Sequence, residues 1–121
     1  MKAGFYQFNP AFGEKENNID KVTSAVRQSD ADLLVLPELF ATGYQFTSVD
    51  EVADLSEPVP GGHTTQAVTE LSREKGMYIV AGLPERDGDS FFNSAILTGP
   101  EGFIGAYRKI HLFFIGGHAI K

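Results

Sequence analysis

Glu38 and Lys109 are the residues whose type and position could support chemistry. Glu38 follows Pro37 at the carboxyl end of the apolar run Leu33–Leu36. In open α/β sheets, ligands bind outside the carboxyl ends of strands. A carboxylate held there beside an apolar wall is expected to have its pKa raised by desolvation and could act as a general base. The same position also suits a Glu that caps or salt-bridges a loop. Lys109 ends a strand-like segment in Tyr107-Arg108-Lys109-Ile110-His111-Leu112. An ammonium at a strand end can stabilise a developing oxyanion. It can equally belong to a solvated basic cluster that balances an acidic chain.

Other candidates have weaker support. His63, His111 and His118 are scattered, with no HExxH and no pair at i, i+4, so no metal site is expected. Gly61-Gly62 and Gly116-Gly117 form neither a GxGxxG nor a GxxxxGK[ST] loop. No Ser or Thr sits in a GxSxG elbow. Phe40, Tyr44 and Phe46 could line a pocket, although aromatics at such spacing also serve as core.

The elements that must position these groups can be read from periodicity. Residues 2–8 alternate and read as a strand, ended by Asn9-Pro10. Residues 14–29 read as an amphipathic helix with Ile19, Val22, Ala25 and Val26 on one face and its charges mostly elsewhere. The continuous apolar runs 32–37 and 77–83 suit strands covered on both sides. Between them, 39–61 is irregular and closes with Pro58-Val59-Pro60-Gly61-Gly62. A helix is expected from about 64 to 75, with Ala67, Val68 and Leu71 as its stripe and Gly76 beyond its end. Asp87-Gly88-Asp89 reads as a turn joining strands 78–85 and 91–98, and Gly99-Pro100-Glu101-Gly102 leads to a further strand at 103–109. The order β-α-β-(loop)-α-β-β-β implies parallel crossover units followed by an antiparallel meander in one mixed sheet.

Composition narrows the function classes. The 121 residues support one domain, and 42% apolar against 21% charged argues against disorder. Ten Lys and Arg against sixteen Asp and Glu give a net charge of −6. That balance argues against nucleic acid or an anionic membrane surface as partner. No apolar run approaches the ~20 residues of a spanning helix. Met1-Lys2-Ala3-Gly4-Phe5 leads into a strand with no signal-peptide core, so a cytoplasmic location is expected. Cysteine is absent, which removes disulfides and thiol chemistry from within this chain.

Two segments together carry a family resemblance. Leu34-Val35-Leu36-Pro37-Glu38-Leu39-Phe40, with Gly43-Tyr44, resembles the glutamate motif of the nitrilase-like carbon–nitrogen hydrolases. Tyr107-Arg108-Lys109-Ile110-His111-Leu112-Phe113 resembles their lysine motif. Residues 76–84, Asn93-Ser94-Ala95 and the 99–105 turn and strand are also similar to this family, so the resemblance covers about 1–113.

The resemblance implies the N-terminal half of a four-layer α-β-β-α sandwich, a mixed sheet with helices on one face, in a family that forms homo-oligomers. It implies a Glu-Lys-Cys triad acting on a small-molecule amide or nitrile without metal or organic cofactor. Glu38 would be the general base and Lys109 the oxyanion stabiliser, with Phe40 and Tyr44 in the substrate pocket. Similarity of the Glu38 segment to the amidase and carbamoyl-amidase branches favours amides.

The chain departs from the pattern after Lys109. The nucleophilic Cys is absent, no second glutamate follows the lysine, and the tail 114–121 diverges. A single partial domain, 1–121, truncated before the Cys and inactive alone, is therefore expected. Leu34, Leu36, Ile79 and Ala81 are expected to lack partners on one face, leaving the chain to self-associate or to bind its missing C-terminal half. The alternatives are a non-catalytic α/β interaction module and a decayed fragment.

Overall fold

The computed structural model describes residues 1–110 and the backbone of two short paired segments, 114–115 and 118–119. Five strands form one sheet in the order β1-β2-β3-β4-β5: β1 (Ala3–Phe5), β2 (Leu33–Val35), β3 (Tyr78–Asp87), β4 (Ser90–Gly99) and β5 (Gly102–Arg108). The first three are parallel and the last two antiparallel, so the crossover-then-meander reading holds. The helices are α1 (Lys15–Arg27), α2 (Val49–Leu55) and α3 (His63–Lys75). The tail segments β6 (Phe114–Ile115) and β7 (His118–Ala119) pair antiparallel with each other. Residues 111–113, 116–117 and 120–121, among them His111 and Gly116-Gly117, lie outside the described residues.

Helix α1 forms where Ile19, Val22 and Val26 repeat on one face, and all three are buried. Helix α3 buries Val68 and Leu71 and ends at Gly76, whose φ of 63° is the left-handed value glycine adopts cheaply. These side chains join Leu34, Leu36, Ile79, Ala81, Leu83 and Ile96 in one core. Helix α2 falls in the stretch read as irregular. It spans seven residues and buries Val52. Its signal was the cap: Ser48 Oγ accepts from the Glu51 N–H at 3.2 Å, the first half of a capping box.

Strand alternation then decides which face is covered. Leu34, Leu36, Ile79 and Ala81 all point at the helices and are buried, contrary to the expectation that they lack partners. The opposite face carries the row Phe5, Val35, Val80, Leu97, set side by side by the strand register. Tyr78 and Tyr107 share that face by alternation. Phe5 is 75% exposed and Tyr107 62%. One face of the sheet is thus a packed core, and the other is apolar and open.

Candidate active site

The segment after β2 carries Glu38 onto the open face. The Leu36 N–H donates to the Val80 carbonyl at 2.8 Å and the Phe40 N–H to the Gly82 carbonyl at 3.1 Å. Between them Leu39 adopts a φ of 52°, the left-handed region that L-residues rarely enter. The turn lies so close to β3 that a Cβ at Gly82 would meet the Glu38 Cα at 2.8 Å. Glycine at 82 is therefore a condition for Glu38 to sit where it does. From the helix side, the fully buried Asn18 amide donates to the Ala41 and Ala11 carbonyls, each at 2.8 Å. The Gly13 N–H donates to the Thr42 carbonyl at 2.8 Å. A polar anchor in the core thus fixes the loop from below.

Lys109 follows the last residue of β5. Its N–H donates to the Asn93 carbonyl at 2.8 Å, extending the ladder by one bond. Its Nζ donates to Glu38 Oε1 at 2.9 Å, and Asn93 Nδ2 donates to the same oxygen at 2.6 Å. Two residues 71 positions apart are thus joined by an ion pair, with a third from β4 completing the group. Val80, Gly82 and Ala95 floor a cavity on the open face, and Glu38, Asn93, Tyr107 and Lys109 edge it.

The hydrogen bond from Lys109, assisted by Asn93 and the lysine's charge, holds the Glu38 carboxyl below its ordinary range, although partial burial acts the other way. The expected upward shift is therefore reversed. The Glu38 side chain is 53% exposed in this chain, so desolvation is modest and the donors prevail. The site holds a fixed anion, a cation and an amide donor. A carboxylate so placed can accept a proton, and the ammonium can hold developing negative charge.

The aromatic candidates fall elsewhere. Phe40 is fully buried in the helix-side core. Tyr44 is exposed, and neither it nor Phe40 lines the cavity. The left-handed Leu39 turns the chain between Glu38 and Phe40 and sends them to opposite sides. Asn93 had no role assigned from sequence, because an Asn in mid-strand announces nothing until its partner is known. His63 Nε2 lies 2.7 Å from a Glu16 carboxylate oxygen on the surface. Among the described residues, no helix is long and apolar enough to cross a membrane.

On the helix-covered side of the same strands lies a second ionic group. Glu85 is buried and accepts from Ser94 Oγ at 2.7 Å, Arg108 Nε at 3.0 Å and Arg108 Nη2 at 2.7 Å. The bonds from Arg108 foremost, with that from Ser94, hold its carboxyl below the usual range against the opposing effect of burial.

The fold, with a mixed sheet helix-covered on one side and a Glu-Lys pair on the other, defines an α/β protein with a polar centre on its open face. The carbon-nitrogen hydrolase family pattern matches residues 2–120, and the chain belongs to that family. It is 44% identical over 117 residues to a nitrilase of Pyrococcus abyssi, covering 94% of this chain and 45% of that protein. It is 35% identical over 112 residues to the 2-oxoglutaramate amidase of Bacillus subtilis, covering 88% of this chain and 41% of that protein. Among solved structures it superposes on an N-terminal amidase with TM-score 0.81 at 27% identity, over 90% of this chain and 28% of that one. Nit3 of Saccharomyces cerevisiae, a member of branch 10 of the nitrilase superfamily, matches with TM-score 0.79 at 25% identity, over 93% of this chain and 45% of that one. The chain spans less than half the length of these relatives.

Proposed function

We propose that this chain carries the Glu-Lys part of a carbon–nitrogen hydrolase centre acting on small amides, with nitriles as the second substrate class. The observation that carries the reading is the 2.9 Å contact between Lys109 Nζ and Glu38 Oε1, on the sheet face opposite the described helices. Glu38 takes the proton of a cysteine thiol, and the thiolate attacks the amide carbon. Lys109 stabilises the tetrahedral oxyanion, ammonia or an amine leaves, and water hydrolyses the thioester. The 121 residues contain no Cys, so the thiol comes from a segment outside them that packs against the open face. Covering that face withdraws water from Glu38 and Lys109 and strengthens the electrostatic role of both.

The test is a graft. Residues 2–113 replace the matching stretch of the Pyrococcus abyssi nitrilase, and ammonia release is measured from short aliphatic amides and nitriles. The graft is expected to turn over, and the 121-residue chain alone is expected to be inert. A folded but inactive graft beside an active parent would overturn the reading. So would ammonia release by the isolated chain above a Glu38→Gln, Lys109→Ala control.

The open face makes a second prediction. Alone, the chain is expected to self-associate, because contiguous exposed apolar surface drives contact between copies. Sedimentation should show species heavier than the 13.2 kDa monomer. Val35→Glu with Leu97→Glu should return them to monomer, adding like charge to a chain already at −6. A monodisperse wild-type monomer would contradict this.

A further inference from the structure

The two ionic groups share their strands. Asn93 and Ser94 are neighbours on β4, and Asn93 serves Glu38 while Ser94 serves Glu85. Arg108 and Lys109 are neighbours at the end of β5, and Arg108 grips Glu85 while Lys109 reaches Glu38. Successive side chains on a strand point to opposite faces, so the setting of Arg108 dictates that of Lys109.

We infer that Arg108, clamped to Glu85 beneath the sheet, is the positioning residue that aims Lys109 at Glu38 above it. The inference rests on the Glu-Lys reading of the site. Among the described residues, strand β5 is the sheet edge, with β4 as its neighbour. Its last residue, Arg108, pairs with Ser94, and a single further bond, from the Lys109 N–H to the Asn93 carbonyl, continues the ladder. An edge-strand end is where a ladder opens most readily. A lysine there carries a long flexible stem and needs a fixed base to reach one oxygen reproducibly.

The guanidinium supplies that base. It meets Glu85 in two parallel bonds, the arrangement that fixes orientation as well as distance. Its Nη2 also donates to Asp87 at 3.0 Å, and its carbon lies 3.8 Å from the centre of the Phe92 ring. Glu85 is itself anchored: it is 6% exposed, lies within β3 paired with Phe92 of β4, and is held by Ser94. The Lys109 N–H bond to Asn93 then transmits the register to the open face.

A clamp that only offsets a buried charge would affect stability and leave Glu38 alone. A positioning clamp must also change what Glu38 feels. Carboxyl-carbon NMR titration of the full chain with labelled glutamate, with Glu38→Gln for assignment, reads this directly and needs no turnover. Lys109→Ala should raise the Glu38 midpoint, since its main stabilising donor is gone. Glu85→Gln should raise it by most of that amount. The sign is diagnostic: losing an anion at 85 would by itself lower the Glu38 midpoint, so a rise reports that Lys109 has moved. Glu85→Gln with Arg108→Gln leaves no unpaired buried charge and decides the matter if the single variant does not fold. A raised midpoint in Lys109→Ala, with an unmoved or lowered one in both clamp variants, would overturn the inference and leave the site reading standing. An unmoved midpoint in Lys109→Ala would sink the Glu38–Lys109 pair, and the inference with it.

Discussion

In the grafted enzyme, Lys109→Ala is expected to lower kcat by about 10²–10³, the range for removing one oxyanion donor. Glu38→Gln is expected to lower it by about 10²–10⁴, the range for losing a general base. Both substitutions leave the sheet core intact, because both side chains lie on the open face. The double variant should lose little more than the worse single one. The two groups share a direct hydrogen bond, so their contributions do not add. KM should change less than kcat, since the charge that Lys109 holds develops largely in the transition state. Steady-state ammonia release with saturating amide checks each point. A Lys109→Ala graft with parental kcat would reduce Lys109 to a structural partner of Glu38.

Much of the fold was legible because its patterns are local. Ile19, Val22 and Val26 announce α1, and the turns at Gly88 and around Pro100 announce the meander. Glu38 stood out by position, at the end of an apolar strand. What sequence reading lost was the information that depends on the partner. A continuous apolar run has no polar alternation to tell one face from the other, so the buried Leu34 and Ile79 cannot be told in sequence from Val35, which the sheet leaves exposed. The sign of the Glu38 shift depends on Lys109, 71 positions away, and on Asn93, and neither contact can be read from the residues around Glu38. Helix α2 was too short for a periodic signal, and its cap residues Ser48 and Glu51 were the available sign. Phe40 reads from the sequence either as a pocket aromatic or as core. The left-handed Leu39, invisible as a conformation in the sequence, turns it into the core.

That placement makes Phe40→Ala the most damaging single substitution to expect in the core. Phe40 is among the largest side chains fully removed from solvent, and its cluster includes residues of α1, β2, α3, β3 and β4. Truncating a buried Phe to Ala costs about 3–5 kcal/mol, from lost transfer energy and the cavity left behind. Against a typical margin of ~5–15 kcal/mol, that is a large fraction of stability. The effect reaches the site as well, because the Phe40 N–H bond to Gly82 and the buried ring together seat the turn that presents Glu38. Denaturant unfolding should show a much lower midpoint, and the Glu38 carboxyl should move toward its ordinary range as the contact with Lys109 loosens. Tyr44→Ala, four residues on and 65% exposed, is the control, expected to stay within about 0.5 kcal/mol of wild type. If both variants unfold with the parent chain, Phe40 does not anchor the turn. If Tyr44→Ala is the more damaging, the side of the chain assigned to each aromatic is reversed.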